Sequence, residues 1–289
     1  MATMQASQDW QLDGSDGELI LGTTDTPPAR PVGVLIVCHG FKGYMDYGLF
    51  PPLARAAARR GLLVHRFNFS HSGMTRRIET FERPDLFERD TWGKQIADLH
   101  TVTRAVAEGR LEGSGLPSVW FGHSRGGVTV TLAAARAFDG DAPGTPPPDG
   151  VITASAPVEA CSLSEQDRQT LRQHGRLLSP SGRTGQRLFV GKAWLDEIEA
   201  DPDAFDPALA ATRVACPALM LHGGADRTVP TSAAISLAQR FPHAELEVIG
   251  DASHTFDCPN PLAADATPPP ATQRMIERAV AFATDRCTA

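Results

Sequence analysis

The chain is predicted to be of the α/β class, with a mostly parallel central sheet covered by helices on both faces. Two patterns carry this expectation. Apolar, β-branched runs alternate with amphipathic segments along most of the 289 residues, and several of these runs lack the in–out alternation of a half-exposed strand. Composition is the third observation: 42% hydrophobic and 21% charged residues suit a globular, soluble protein with one sizeable core, read here as a single domain over 1–289.

The elements follow in order. Residues 10–12 and 18–22 flank a turn supplied by Asp13, Gly14, Asp16 and Gly17, and read as a hairpin. VGVLIVC at 32–38 reads as a buried strand running into His39-Gly40-Phe41. Phe50-Pro51-Pro52 opens a helix with Leu53, Ala54, Ala57 and Ala58 on one face. Residues 62–67 form the next strand. Asp90 or Thr91 caps a helix carrying Ile96, Leu99, Val102 and Val106, which Gly109 ends. Strand 117–121, a small-residue helix at 125–137 and strand 151–155 complete a βαβαβ run, with proline-rich 141–150 as an exposed loop.

Residues 157–214 break the alternation. They read as an insertion after the sixth strand, helical in pieces (163–173 and 192–199), forming a cap over 158–213. Strand 217–222, helix 231–240 and strand 244–249 resume the pattern. A final helix bears Met275, Ile276, Ala279, Val280 and Phe282 on one side. Right-handed crossovers in such a sheet put ligands at the carboxyl ends of the strands, so the residues that follow strands are the ones to search.

Several function classes are disfavoured. The formal charge is −7, from 27 basic against 34 acidic residues, and Arg59-Arg60 and Arg76-Arg77 are isolated pairs rather than a basic stripe, so no nucleic-acid partner is expected. Five cysteines without C-x-x-C spacing suggest neither a disulfide framework nor a zinc knuckle, and point to a reducing cytoplasm. Residues 1–9 lack the basic and apolar regions of a secretion leader, and no run is long enough to span a membrane. None of the nine histidines forms H-E-x-x-H, and neither a dinucleotide nor a P-loop fingerprint occurs. No metal and no cofactor is expected, while monomer and homodimer both stay open.

Positive chemistry begins at Gly122-His123-Ser124-Arg125-Gly126, a G-x-S-x-G run that follows an apolar strand and opens a helix. Its glycines suit a turn too tight for side chains, which would present Ser124 as a nucleophile. A serine hydroxyl needs a base and an orienting acid. His222-Gly223-Gly224-Ala225-Asp226 supplies an acid after one strand, and Asp251-Ala252-Ser253-His254 a base after the next. Asp251 is a competing acid; Asp226 is preferred because it follows its strand directly and has a Gly-Gly turn to aim it. The order Ser124, Asp226, His254 is the one found in α/β-hydrolases. Backbone donors for an oxyanion would come from the residue after the nucleophile and from the glycine-containing loop after the early strand, namely Arg125 and Phe41.

On these motifs the chain resembles the α/β-hydrolase superfamily. Within it the chain resembles bacterial carboxylesterases of the cinnamoyl or feruloyl esterase type, through H-G-F at 39–41, G-H-S-x-G-G at 122–127, H-G-G-A-D at 222–226 and D-x-S-H-T-F at 251–256. The resemblance implies an α/β-hydrolase fold and an oxyanion hole at Phe41 and Arg125. Relatives often carry glutamine in place of Arg125, a change that spares the backbone donor and alters the pocket rim. They also read F-D-F-R-G-H-G where this chain has Phe67-Asn68-Phe69-Ser70-His71-Ser72-Gly73, and His71 reads as a solvated loop residue, with a place in the pocket lining as the alternative.

Candidate substrate contacts are His39, Gly40, Tyr44, His123, Trp194 and Phe256. Phe189, Trp194, Leu195 and Ile198 either cover the substrate or anchor the insertion to the body. The expected activity is hydrolysis of a small-molecule carboxylic ester through an acyl-enzyme on Ser124. Prolyl-type peptidase and acyl-transfer chemistry are alternatives on the same residues, and a receptor without turnover is a further one.

Overall fold

The computed structural model describes residues 7–288. Most of residues 1–9, read above for a secretion leader, therefore lie outside the described residues. At the amino end, β1 (Ser7–Asp13) and β2 (Leu19–Asp25) pair antiparallel across a short turn at Ser15–Gly17. β3 (Gly33–Cys38) leads to α1 (Phe50–Arg59) and β4 (Leu62–Asn68). A five-residue helix, α2 (Pro84–Glu88), precedes α3 (Trp92–Ala107), whose cap is Thr91, its hydroxyl accepting from Lys94 N. β5 (Ser118–His123), α4 (Arg125–Asp139) and β6 (Gly150–Ala154) complete the first half.

The segment anticipated as helical between the sixth strand and the next is mixed. It holds α5 (Glu165–His174), an antiparallel ribbon of β7 (Arg176–Leu178) and β8 (Phe189–Gly191), α6 (Lys192–Ala200) and α7 (Pro207–Ala211). Strands of three residues are too short to show a period, and α2 and α7 make barely one turn, so none of the four left a pattern to read. The alternation then resumes with β9 (Ala218–Gly223), α8 (Thr231–Ala238), β10 (Ala244–Ile249) and α9 (Pro270–Thr288).

The main sheet has eight strands in the order β1-β2-β4-β3-β5-β6-β9-β10, parallel from β4 onward. Its two faces explain the continuous apolar run of β3. Val34, Ile36 and Cys38 pack with α3, α4 and α8 on one side, while Leu35 and Val37 pack with α1 and α9 on the other. Each such side chain taken fully out of water stabilises the fold by about 1.5–3 kcal/mol. The proline-rich loop at 141–150 is less exposed than expected, because Ala142 and Thr145 are buried and Thr145 Oγ1 accepts from Arg104.

From β3 the chain runs to β4 on one side and later to β5 on the other. Loops leaving the adjacent carboxyl ends of β3 and β5 therefore diverge and open a crevice. Among the described residues, no helix is long and apolar enough to cross a membrane.

Candidate active site

Ser124 stands between β5 and α4 with φ 54° and ψ −122°, a backbone state that non-glycine residues rarely hold and that costs on the order of 1–3 kcal/mol. Its surroundings fix that state. Ser124 N donates to Ala154 O at 2.7 Å, and Gly127 N donates to Ser124 O at 2.8 Å. The flanking glycines are required by close backbone approach: a β-carbon at Gly122 would lie 2.1 Å from Gly126 O, and one at Gly126 would lie 2.4 Å from Cys38 O.

From this turn a hydrogen-bonded chain of side chains extends. Ser124 Oγ donates to His254 Nε2 at 3.0 Å, and His254 Nδ1 donates to Asp226 Oδ2 at 2.7 Å. The Asp226 side chain is fully buried, and its Oδ1 accepts from Thr228 N at 2.8 Å and Val229 N at 3.0 Å. Burial pushes this carboxyl up, yet the hydrogen bonds from Val229 N, His254 and Thr228 N outweigh it and hold the pKa below the ordinary value. Asp226 thus stays ionised and fixes the imidazole with its proton on Nδ1. Asp251 is exposed and takes no part in a side-chain hydrogen bond or ion pair among the described residues.

His123 steadies the histidine loop from below. Its Nε2 donates to His254 O at 2.9 Å, and burial, reinforced by the neighbouring His254, pushes its pKa down to about 3. It is therefore a neutral donor. The backbone N–H groups of Phe41 and Arg125 donate to no protein acceptor among the described residues, Arg125 because it is the first residue of α4. Gly40 brings the Phe41 loop close, since a β-carbon there would meet Ser124 Cβ at 3.0 Å.

Two cavities flank Ser124 and share Phe41. The larger, about 640 Å³, is walled by Trp92, Arg125, Leu163, Val190, Trp194 and Val229 among others. The smaller, about 80 Å³, is lined by Gly40, Tyr47, Phe50, His123 and His254. Of the expected substrate contacts, Gly40, His123 and Trp194 thus line cavities.

Three others do not. His39 is buried, donates from Nδ1 to Gly40 O at 2.8 Å and accepts from Phe69 N, so it shapes the loop. Tyr44 is buried with its hydroxyl donating to Asn260 Oδ1 at 2.8 Å. Phe256 is fully buried in the core beneath α9. His71 is a further correction, being fully buried rather than solvated, with Nδ1 against Ser70 Oγ and Nε2 3.5 Å from Asp16. Proximity in sequence to a functional loop suggested the first three, whereas the side chains turn inward to hold those loops.

Sequence reasoning missed Trp92, whose position just after a helix cap carried no functional signal. It also missed the role of Thr228 and Val229, which act through backbone N–H groups that any residue offers.

Comparison with known proteins adds the following. A family model described as the alpha/beta hydrolase family matches residues 35–266. Among curated proteins no sequence matches. The chain is similar in structure to Est1E from Butyrivibrio proteoclasticus solved with ferulic acid bound, at 18% identity and TM-score 0.68, over 97% of this chain and 100% of that one. It is also similar to the esterase domain of a Rhodothermus marinus protein, at 19% identity and TM-score 0.62, over 97% and 98% of the two chains. Dienelactone hydrolase from Anabaena variabilis ATCC 29413 matches at 17% identity and TM-score 0.61, over 96% of each chain.

Proposed function

The chain belongs to the alpha/beta hydrolase family, and from that premise we propose that it is a serine hydrolase cleaving carboxylic esters through an acyl-enzyme on Ser124. The observation that carries this reading is the continuous hydrogen-bonded chain Ser124–His254–Asp226, set at a strained turn beside two unengaged backbone donors.

Each group then has one task. His254 Nε2 takes the Ser124 proton as Oγ attacks the ester carbonyl, and Asp226 stabilises the imidazolium that forms. The N–H groups of Phe41 and Arg125 donate to the oxyanion. Collapse of the tetrahedral adduct breaks the bond to the alcohol oxygen, which takes the proton from His254 Nε2. Water, deprotonated by the same nitrogen, then attacks the acyl carbon, and the bond to Ser124 Oγ breaks as Oγ takes that proton back from His254 Nε2, which releases the acid.

The two cavities give the ester a direction. The leaving oxygen must lie beside His254, which lines the smaller cavity, so the alcohol portion is small and the acyl portion occupies the larger one. The reading of residues 158–213 as a cap is supported by Leu163, Leu177, Val190 and Trp194, all in that segment and all lining the larger cavity. Five free, buried thiols suit a reducing, cytoplasmic setting.

A fluorophosphonate probe tests the reading against Ser124→Ala. Labelling and p-nitrophenyl acetate turnover are expected in the wild type and absent in the variant; labelling that survives the substitution would refute it. Methyl ferulate and short p-nitrophenyl esters set beside an aminoacyl-anilide separate ester from peptide chemistry, with cleavage of the anilide alone reversing the assignment.

A further inference from the structure

Arg125 follows the serine, and its side chain is an unusual wall for a mostly apolar cavity. Only 11% of that side chain is exposed. The guanidinium carbon lies 4.4 Å from the Trp92 ring, 5.4 Å from the Trp194 ring and 5.6 Å from the Phe41 ring, so aromatic faces from α3, α6 and the loop after β3 enclose it. Among the described residues, no other lysine or arginine lines the larger cavity.

Its hydrogen-bonding capacity is left almost unused. Nε and Nη2 are sealed from solvent without a hydrogen-bond partner. Nη2 lies 3.4 Å from Asp90 Oδ2, an ion-pair contact without hydrogen-bond geometry, while that oxygen accepts from Gln95 Nε2 at 2.6 Å. Nη1 makes no protein hydrogen bond either, and it is not among the sealed atoms. It is the one guanidinium nitrogen that keeps solvent access, in a residue that lines the larger cavity.

An arginine buried for structure alone is ordinarily engaged by a bidentate carboxylate or by several carbonyls, because unmade hydrogen bonds to a desolvated cation are costly. Here rings hold the guanidinium in place, Nη1 keeps solvent access without a protein partner, and the residue lines the cavity beside the serine.

Resting on the ester-hydrolase reading above, we infer that Arg125 Nη1 is a specificity-determining contact, and that the favoured acyl group carries an oxygen acceptor that reaches it from within the larger cavity. A carbonyl and a carboxylate both have this chemistry. Asp90, beside the guanidinium, and exposed Glu159, at the cavity wall, oppose an anion, whereas the cationic guanidinium favours one, so the two sources are separated by experiment.

The experiment compares three series of methyl esters matched in chain length, whose acyl ends are a methyl group, a methyl ketone or a carboxylate. kcat/KM is measured with wild type, Arg125→Gln and Arg125→Met, and the readout is the ratio of acceptor ester to alkyl ester within each protein. That ratio is independent of how far a variant lowers turnover as a whole.

In the wild type one acceptor series is expected to exceed the alkyl series by about tenfold or more at its best length, mainly through KM. Met removes the preference; Gln, which keeps an N–H donor, retains it for the ketone and loses it for the carboxylate. An alkyl ester that matches or beats both acceptors at every length overturns the inference, as does a preference that survives Arg125→Met or a labelled enzyme that cleaves none of the esters. If Met does not fold, the wild-type and Gln ratios decide alone. Wild-type protein that takes no fluorophosphonate label brings down the serine-hydrolase reading itself, and this inference with it.

Discussion

Two candidate acids, Asp226 and Asp251, stand shortly before His254 in the chain; their place in sequence favours Asp226, and the geometry separates them fully. Asp226 is buried, accepts two backbone N–H groups and receives the imidazole at 2.7 Å, whereas Asp251 is exposed. Asp226→Asn is expected to lower kcat by up to ~10⁴-fold, because an amide can present a donor to His254 and favour the wrong tautomer. Asp251→Asn is expected to stay within about twofold of wild type, since surface changes away from such networks have small effects. Steady-state kinetics on p-nitrophenyl acetate measure both. Equal losses in the two variants would refute the assignment of the acid.

At the scale of elements, the segment after β6 is fastened to the body at several points, among them Gln186 against the Phe81 backbone and Glu197 against α3. Glu197 of α6 accepts from Gly93 N at 3.0 Å through both oxygens and from Thr91 Oγ1 at 3.1 Å, so its carboxylate caps the amino end of α3. An anion there satisfies otherwise orphaned donors and meets the positive end of the helix dipole. Glu197→Ala is expected to cost about 1–2 kcal/mol in urea unfolding and to speed amide exchange at the start of α3 and along α6. Unchanged exchange in both helices would show that the segment's other contacts, among them Gln186 with Phe81 and Trp92 with Ala160, suffice to hold it.

At the scale of the whole molecule, buried histidines set the response to acid. Burial pushes the pKa of His39, His65, His71 and His100 down to about 4, and that of His123 to about 3. Unfolded histidines titrate near ~6.5, so between that pH and about 4 the unfolded chain binds more protons and stability falls as pH falls. Each contributes at most ~3 kcal/mol over this window. Asp90, raised to about 6 by burial, and Asp98, also raised by burial, act in the opposite sense but are fewer. The urea midpoint is expected to drop clearly from pH 7 to pH 5, and the drop should shrink in His100→Gln. A midpoint that holds steady between these values would contradict the buried, neutral state of the histidines.

Much of the fold was legible because its signals are local. The run at 32–38 reads as a buried strand since both faces of β3 are covered, and Ser124, Asp226 and His254 stand out because each follows a strand within a glycine-containing turn. The same locality explains the failures. β7, β8, α2 and α7 are too short for a period, and His39, Tyr44 and Phe256 sit beside functional loops in sequence while their side chains point into the body. By itself the sequence determined the alternation of elements, and with it the sheet and the order of the three candidate residues, because backbone preferences and apolar patterning act over a few neighbours. Only the tertiary structure decided that Asp226, already favoured by its place in sequence, meets the histidine, how the space beside Ser124 divides into a large and a small cavity, and that Arg125 is enclosed by Trp92, Trp194 and Phe41 with Nη1 left without a protein partner. Those outcomes depend on side chains far apart in sequence that meet only when the sheet, the inserted segment and the loops pack together.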